Sequence, residues 1–323
     1  MQYRTLGRTG IRVSLLGLGS GGMSRLGQRY EFSALESEGL VRHALDAGVN
    51  LIDTAPGYGR SEELLGQALL GVPREQYVLC TKFQPHAPGD RQFYAASDLR
   101  ASLEASLRAL RTEFVDVFYL HGIAPAAYAE VCERFLPELT AARDAGLIRQ
   151  IGITERYQSD HAHVMLRRAI EDGVFSVVMV GFNLMSPAAV TSILPLAAEW
   201  GVGVVVMCAV RSVLVNPSEV EAYVRQWESE GLLEPGLVPP DAALDWLLDE
   251  HTPTVASAAY KFAAAHPAVG SVLTGTATLD HFEANRAAVL GEPLPVDKVQ
   301  RVLSVFGPVQ RNVQPARIPR LVD

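Results

Sequence analysis

Short apolar runs alternate with longer amphipathic segments along almost the whole chain. The short runs are bounded by glycine, proline or polar residues and are rich in β-branched side chains, which is typical of buried strands. The longer segments repeat apolar residues at helical spacing. The predicted strands are 13–19, 51–53, 77–81, 114–120, 149–153, 174–180, 202–207 and 269–273. The predicted helices are 36–47, 61–70, 98–110, 129–145, 161–171, one that begins at Ser186-Pro187, 241–249, 253–265 and 278–288.

This alternation predicts the fold class. Eight strands that are each followed by a helix imply parallel strands joined by right-handed crossovers. In a chain of 323 residues they indicate α/β architecture, a closed (β/α)8 barrel rather than a six-stranded open sheet. The turn Arg8-Thr9-Gly10 between short alternating runs predicts an N-terminal β-hairpin. No change of composition divides the chain, so we expect one barrel domain over residues 1–323, with the tail from Phe306 to Asp323 extended over the barrel or frayed.

Several helix starts carry capping signals. Ser33 and Glu36 form a capping box ahead of the first helix. Ser61, Ser97 and Thr252-Pro253 are the expected caps of three later helices. The glycines between the first strand and the first helix match a G-x-G-x-x-G pattern, but a dinucleotide site of that kind requires a helix to open on the last glycine. We therefore interpret this segment as a flexible loop.

Composition and charge exclude several classes of protein. Apolar residues make up 48% and charged residues 20% of the chain, which is ordinary globular usage. The formal net charge of −8 disfavours nucleic acid and anionic membranes as partners, because both require a basic surface. The N-terminus lacks an apolar signal core, and the apolar segment Val202 to Val215 is too short for a membrane span.

Cysteine and histidine spacing predicts no metal site. Cys80, Cys132 and Cys208 are far apart and odd in number, which indicates a reducing, cytoplasmic setting and no zinc site. His161-Ala-His163 lies on one predicted helix without a third type of ligand. Asp90-Arg91 is expected at the surface.

Polar side chains suited to proton chemistry follow three consecutive predicted strands. They are Asp53 at the end of one strand, Tyr58 in the turn after it, Lys82 at the end of the next strand and His121 at the end of the third. The carboxyl ends of neighbouring parallel strands meet at one rim of a barrel, so we expect the four to converge. Each alone has an ordinary structural interpretation, but their coincidence at adjacent strand ends favours an active site.

The four residue types together point to proton transfer at an oxygen atom. A phenol has a pKa of about 10, and a nearby ammonium is expected to lower the pKa of Tyr58. A buried Lys82 requires an anion, which Asp53 supplies. His121 can donate a hydrogen bond to a carbonyl oxygen and orient it. Side chains carry no hydride donor, so a cofactor must supply the hydride.

The motifs around these residues resemble those of the aldo-keto reductase superfamily over nearly the whole chain. They are Asp53-Thr-Ala, Tyr58-Gly59, Ser61-Glu62, Leu65-Gly66, Thr81-Lys82, Asp116 through Leu120-His121, Gly152-Ile-Thr154, and Gly275-Thr276 through Asn285. The resemblance implies a barrel with NAD(P) across its rim and Tyr58 as the proton donor. It also implies that Lys82 and Asp53 tune Tyr58 and that His121 orients the carbonyl. Residues 151–154, 271–275 and 283–289 are most similar to the sugar dehydrogenase branch.

The resemblance further implies a set of cofactor contacts: Ser20, Gly21, Thr154, Glu155, Cys208, Arg211, Gly275, Thr276, His281 and Asn285. Two positions depart from the family pattern, since Glu155 replaces an asparagine and Met179 replaces a glutamine. An ionised glutamate cannot donate to the oxygen of the nicotinamide carboxamide, so the direction of reaction stays open. Arg211 has two interpretations of equal weight, contact with the cofactor pyrophosphate and a surface salt bridge.

These features give a leading hypothesis and an alternative. The first is an NAD(P)-dependent oxidoreductase that acts on a small alcohol or carbonyl compound, sugars included. The second is a cofactor-binding regulatory or scaffold subunit. NAD(H) is predicted over NADP(H), because Ala277-Thr278 and His281 stand where NADP users of the family carry arginine or lysine. Glu283 would repel a 2′-phosphate, or else bind the ribose or adenine, whereas Arg286 could swing back and supply a positive charge. The rim loops 83–93, 122–128 and 213–240, with the tail, are expected to select the substrate.

Overall fold

The computed structural model describes residues 1–87 and 92–313 of the chain. Three segments that the sequence analysis discussed lie wholly or partly outside the described residues. They are Asp90-Arg91, which was expected at the surface, part of the rim loop 83–93, and the tail from residue 314 onward.

Eight parallel strands close into a barrel in the order in which they occur along the chain. They are β3 (Leu16–Gly19), β4 (Leu51–Asp53), β5 (Val78–Phe83), β6 (Val115–Ile123), β7 (Ile148–Glu155), β8 (Val177–Gly181), β9 (Gly203–Met207) and β10 (Val269–Thr274). The ring closes where β10 pairs with β3, with Val272 opposite Leu16. The (β/α)8 barrel is therefore confirmed, and each predicted strand lies within a few residues of its expected position.

The N-terminal hairpin closes the end of the barrel at which the strands begin. Strands β1 (Tyr3–Thr5) and β2 (Arg12–Ser14) pair antiparallel, as predicted. Leu6, between them, is fully buried, and a Cβ added to Gly203 at the start of β9 would lie 2.6 Å from Leu6 Cγ. Because this end is plugged, a site must be sought at the opposite rim, where the strands end.

Helices surround the ring of strands. They are α1 (Ala34–Asp46), α2 (Ser61–Ala68), α3 (Ala96–Leu110), α4 (Tyr128–Asp144), α5 (Val164–Glu171), α6 (Ala189–Ser192), α7 (Leu194–Trp200), α8 (Pro217–Ser229), α9 (Val255–Ala265), α10 (Leu279–Leu290) and α11 (Val296–Phe306). The main core lies between these helices and the strands, and a second apolar cluster fills the barrel axis. Met179 belongs to this axial cluster.

Two helices lie outside the sequence prediction, and one predicted helix is wrong. Helix α8 falls in the segment expected to be a rim loop, and α11 follows the predicted last core helix. The predicted helix 241–249 forms only two short 3₁₀ turns, Pro240–Ala242 and Asp245–Leu247. A tertiary contact intervenes there, because Lys298 Nζ in α11 donates to the Leu247 carbonyl at 2.8 Å.

Three of the expected helix caps are wrong. Ser61 begins α2 without capping it, and Ala95, not Ser97, precedes α3, where the Asp98 carboxylate accepts from the Ala95 N–H at 2.8 Å. Helix α9 is capped by Thr254. The capping box of Ser33 and Glu36 is confirmed. Two further helices start later than predicted, α5 at Val164 and α6 at Ala189.

The first part of the tail lies on the rim of the barrel. Val313 is buried, and its N–H donates to Ser186 Oγ at 3.1 Å. The Asn312 amide donates to the Tyr157 carbonyl, and its backbone N–H donates to His161 Nδ1 at 3.2 Å. Through residue 313 the tail is therefore packed across the loops that follow β7 and β8.

Candidate functional site

A buried ion pair joins the ends of β4 and β5. Lys82 Nζ donates to both oxygens of Asp53, at 2.7 and 2.6 Å, and to the Thr54 carbonyl at 2.7 Å. Both charged side chains are buried, at 1% exposure for Lys82 and 3% for Asp53. The three acceptors match the three N–H donors of an ammonium, so the position of Nζ is fixed.

Electrostatics keeps Lys82 charged. Burial alone would lower the pKa of Lys82, but Asp53, and after it Tyr58, reverse this effect, and the net shift of the pKa is upward. Burial raises the pKa of Asp53, and the ammonium opposes that rise. A fixed positive charge is thus held below the rim, where solvent does not screen it.

Tyr58 lies directly above this charge. Lys82 Nζ is 4.9 Å from the centroid of the Tyr58 ring. The ring packs on the backbone of Gly21, where an added Cβ would lie 2.6 Å from Tyr58 Cε2. The Tyr58 carbonyl accepts from Ser61 Oγ at 2.9 Å, and Ser61 Oγ also donates to the Ser20 carbonyl at 2.9 Å. Ser61 therefore holds the tyrosine turn instead of capping α2.

His121 completes the group that the sequence predicted. It lies near the end of β6, where the pairing with β7 is irregular between Leu120 and Ile123. Its ring stands edge-on to that of Tyr58, with the centroids 6.0 Å apart and the planes at 89°. Burial, followed by the nearby Lys82 charge, lowers the pKa of His121 to about 3. The imidazole is therefore neutral at neutral pH and carries one N–H donor.

The pKa of Tyr58 departs from the sequence prediction. Burial raises it, and the opposing effect of the Lys82 ammonium does not overcome that rise. The predicted lowering effect of the ammonium is present, but the loss of water around the phenol, which the sequence does not reveal, outweighs it. The phenol is consequently protonated at neutral pH, which is the state required of a proton donor.

Replacing His121 with glutamine is expected to reduce the loss of protein stability at acid pH. The folded-state pKa is about 3 against an ordinary 6.5. The unfolded chain therefore binds more protons between these values, and wild-type stability falls as the pH drops through that window. Glutamine does not titrate, so the variant should lose less stability. Thermal-unfolding midpoints across the window measure the effect, with the exposed His251→Gln as control. Equal slopes in wild type and His121→Gln would contradict the lowered pKa of His121.

Part of the predicted cofactor set converges next to Tyr58. Ser20 N–H donates to the Asp53 carbonyl at 2.8 Å, and its buried Oγ has no partner among the described residues. A Cβ added to Gly275 would lie 3.7 Å from the Gly21 carbonyl, so the ends of β3 and β10 lie side by side. Asn285 Nδ2 donates to Thr274 Oγ1 at 2.9 Å, which ties α10 to the end of β10.

Other members of the predicted set are further apart or are engaged locally. Thr154 Oγ1 accepts from the Gly122 N–H at 2.8 Å. Thr276 Oγ1 accepts from the Thr278 N–H at 3.2 Å within its own loop. His281 is exposed in the first turn of α10. These three line the rim but do not share contacts with Tyr58.

Glu155 is engaged within the protein. Its side chain is buried, and one oxygen accepts from the Gly181 N–H at 2.7 Å. The other lies 2.7 Å from His163 Nδ1. Burial raises the pKa of Glu155, and the His163 partner opposes that rise. The sequence did not predict His163 as the partner of Glu155, because the His161-Ala-His163 pattern was assessed only for metal binding.

Cys208 and Arg211 form a small cluster beyond β9. Arg211 Nη1 donates to Cys208 Sγ at 3.5 Å, and its guanidinium lies 5.8 Å from the centroid of the Tyr157 ring. Cys208 adopts a left-handed φ of 62°. No carboxylate of the described residues pairs with Arg211, so the described part of the chain gives no support to the surface salt-bridge interpretation.

Glu283, in the helix that carries Asn285, contacts two basic side chains. Glu283 Oε2 accepts from Arg286 Nε at 2.8 Å, and Glu283 Oε1 lies 2.6 Å from His43 Nε2 of α1. Arg286 is therefore held by Glu283 instead of pointing freely toward the rim.

Comparison with known proteins identifies the family of this chain. Residues 16–305 match the model of the Aldo/keto reductase family, and the chain belongs to that family. It is 27% identical to L-galactose dehydrogenase of Arabidopsis thaliana over 98% of both chains. It is 29% identical to NADH-specific methylglyoxal reductase of Escherichia coli (strain K12) over 69% of this chain and 72% of the relative.

A solved structure supports the same architecture. The holo form of an aldo-keto reductase from Bacillus halodurans superposes with a TM-score of 0.71 at 23% identity, covering 94% of this chain and 96% of that one. Members of the family are oxidoreductases that use nicotinamide cofactors and act on small carbonyl compounds. Within residues 1–87 and 92–313, no helix is long and apolar enough to cross a membrane, and no three candidate ligands are grouped as a metal site.

Proposed function

We propose that this chain is an NAD(P)-dependent oxidoreductase that moves a hydride between nicotinamide and an alcohol/carbonyl pair. In this proposal Tyr58 gives or takes the proton. The observation that carries the proposal is the buried Lys82–Asp53 pair lying 4.9 Å from the Tyr58 ring, with a neutral His121 edge-on to the same ring.

Each of the four side chains has a distinct task in reduction. His121 donates its N–H to the carbonyl oxygen and orients it. Tyr58, protonated at neutral pH, transfers its proton to that oxygen as negative charge develops there. The phenolate that remains is stabilised by the Lys82 ammonium, which Asp53 keeps charged and in place. In oxidation the same phenolate would accept the proton.

The residues at the rim fit a nicotinamide cofactor, which supplies the hydride when bound. Ser20 offers a buried hydroxyl with no partner in the described part of the chain. Gly275 carries no side chain where it faces the Gly21 carbonyl, at 3.7 Å from an added Cβ, which leaves room for close approach of a ligand to the backbone. Ser20, Gly21, Thr154, Gly275, Thr276 and Asn285 are the residues proposed to hold it, with Arg211 at the pyrophosphate and Cys208 and His281 as neighbours.

We infer that NAD(H) is the preferred cofactor. A swing of Arg286 toward a 2′-phosphate, the alternative that the sequence left open, is opposed by its contacts with Glu283, at 2.8 and 2.7 Å. The same carboxylate would repel a phosphate group. His281 is exposed and belongs to no ion pair among the described residues.

Glu283→Gln is expected to shift the preference toward NADP+. Removing the carboxylate frees Arg286 to bind the 2′-phosphate. Because a charge-assisted hydrogen bond to a phosphate stabilises the complex, kcat/KM for NADP+ relative to NAD+ should rise by about tenfold. The measurement is the ratio of the two kcat/KM values with one common substrate. Glu104→Gln, which breaks a surface pair with Arg100, is the control. A wild-type ratio that favours NADP+ would contradict the inference.

The substrate class is proposed from the relatives. The names of two relatives contain L-galactose and methylglyoxal. Sugars and small reactive aldehydes are therefore the compounds to try. The test is a panel of L-galactose with NAD+ or NADP+, and methylglyoxal and butanal with NADH or NADPH, followed by nicotinamide absorbance. Turnover supports the proposal, and its complete absence with every member contradicts it.

We also infer a cytoplasmic location, which is supported by the free state of all three cysteines, each within the described residues.

One observation favours a second candidate, a cofactor-binding scaffold subunit. Glu155, at a position expected to contact nicotinamide, has both carboxylate oxygens engaged by His163 and Gly181. Tight binding of NAD+ without turnover of any member of the panel would support this candidate over the oxidoreductase.

A further inference from the structure

The loop between β3 and α1, residues 20–33, is built to hold a fixed shape over the rim. Arg25, Leu26, Gly27 and Glu31 all adopt left-handed φ values, between 45° and 89°. Non-glycine residues rarely adopt this conformation, and it persists only where surrounding contacts impose it. Leu26 is buried, and its carbonyl accepts from Ser37 Oγ of α1 at 2.7 Å.

Gln28 fastens this loop to the turn that carries Tyr58. Its Nε2 donates to the Tyr58 carbonyl at 3.2 Å and to Ser61 Oγ at 2.9 Å. Its Oε1 accepts from the Arg60 N–H at 2.8 Å. One amide side chain thus sets the distance between the loop and Tyr58.

The same geometry brings the Arg25 side chain beside the Tyr58 turn. The Arg25 N–H donates to the Gly21 carbonyl at 3.4 Å, and Gly21 is the residue on which the Tyr58 ring packs. A Cβ added to Gly59, next in sequence to Tyr58, would lie 3.8 Å from Arg25 Nη1. The guanidinium is therefore a neighbour of the turn that carries Tyr58, and it interacts electrostatically with that tyrosine.

Within residues 1–87 and 92–313 this guanidinium has no counter-ion. Arg25 Nε is buried without a hydrogen-bond partner, and no carboxylate of the described residues lies within 4.0 Å of the group. Burial, and then the like charge of Arg29, lower the pKa of Arg25. Ser24, the preceding residue, is buried and also has an Oγ without a partner in the described part of the chain.

Such an arrangement is costly unless an anion completes it. A partly buried cation that lies close to a second cation loses hydration and gains repulsion. The chain carries 36 acidic residues against 28 basic ones, so carboxylates are abundant elsewhere. A planar guanidinium with free donors matches the geometry of a carboxylate or a phosphate.

We propose that Arg25 binds an anionic group of the substrate, a carboxylate or a phosphate, while the carbonyl or alcohol of the same molecule lies at Tyr58. Ser24 Oγ is an additional donor. The inference rests on the proposed oxidoreductase function and narrows its substrate to acidic compounds on a short carbon skeleton, such as sugar acids, sugar phosphates and semialdehyde acids. The phosphates of a bound cofactor are the other source of the same chemistry, and the test separates the two.

The test compares pairs of compounds in which one member carries an anionic group that the other lacks. Succinic semialdehyde is paired with butanal, and D-glucuronate and D-glucose 6-phosphate are paired with D-glucose. We expect the wild type to prefer the charged member of each pair. Arg25→Gln should lower kcat/KM for the charged members by about 10- to 100-fold and leave the neutral ones unchanged. Arg60→Gln, which removes an exposed arginine paired with Glu63, should behave as the wild type.

Two binding measurements do not depend on turnover. Calorimetric titration of succinate and of inorganic phosphate should show binding to the wild type and to Arg60→Gln, and its loss in Arg25→Gln. Titration of NAD+ should give the same affinity in all three proteins. A lowered NAD+ affinity in Arg25→Gln, with no change in preference for charged compounds, would assign the arginine to the cofactor and overturn the proposal.

The failure of this inference is distinct from failure of the proposed function. Turnover of neutral and charged compounds alike, unaffected by Arg25→Gln, would overturn the anion site and leave the oxidoreductase in place. Absence of all turnover would contradict the oxidoreductase, and the succinate and phosphate titrations would still decide the anion site. Arg25→Lys keeps the charge but not the planar fork, so its anion binding should fall between those of wild type and Arg25→Gln. It also serves as the test variant where Arg25→Gln does not fold.

Discussion

Tyr58→Phe is expected to lower turnover by about 10²–10⁴-fold, the usual contribution of general acid catalysis, with the fold intact. The phenylalanine ring retains the packing on Gly21 and the edge contact with His121. The variant lacks only the oxygen that gives or takes the proton. Steady-state kinetics and the NAD+ dissociation constant, measured on the same preparation, separate loss of chemistry from loss of binding.

A matched control removes a phenol oxygen elsewhere. Tyr128 is buried in the first turn of α4, and its OH donates to Asp172 at 2.8 Å, not to any of the four central side chains. Tyr128→Phe should therefore cost some stability and leave turnover near normal. Near-normal turnover in Tyr58→Phe would remove Tyr58 from the mechanism.

Lys82→Met is expected to abolish most activity and also to destabilise the protein. Asp53 would be left as a buried carboxylate without its partner, a change that costs about 3–5 kcal/mol in comparable pairs. In any residual activity the alkaline limb of the pH–rate profile should move to higher pH, because the ammonium that lowers the Tyr58 pKa is gone. Denaturant unfolding and the pH profile measure the two effects.

The double variant Asp53→Asn/Lys82→Met separates the structural role from the catalytic one. It removes both charges together, so much of the lost stability should return. Activity should not return, because the phenolate still lacks its neighbouring cation. Recovery of activity together with stability would mean that Lys82 serves the fold alone.

The barrel and the convergence of Asp53, Lys82 and His121 could be predicted from the sequence for one physical reason. In a closed parallel barrel the order of strand ends along the chain is also their order around the rim. Asp53, Lys82 and His121 follow consecutive strands, so the sequence alone could place them together. Tyr58 could be added because it follows Asp53 in the same short turn.

Features that depend on tertiary packing could not be predicted in this way. Helix α8 buries Val220, Val224 and Trp227, a spacing that is visible only once the segment is known to pack on the barrel. The upward shift of the Tyr58 pKa depends on how deeply the phenol is buried. Glu155 and His163 lie eight residues apart and face each other only because the loop after β7 turns back on itself.

The most direct test of hydride transfer at the Tyr58 rim uses NADH that carries deuterium at both hydrogen positions of C4 of the nicotinamide. The aldehyde of the panel that is reduced fastest is incubated with this cofactor, and the alcohol product is analysed by NMR. The prediction is deuterium on the carbinol carbon, formed by the wild type and by Tyr128→Phe at similar rates and by Tyr58→Phe orders of magnitude more slowly. Product without deuterium, or equal rates in Tyr58→Phe and wild type, would contradict hydride transfer assisted by Tyr58.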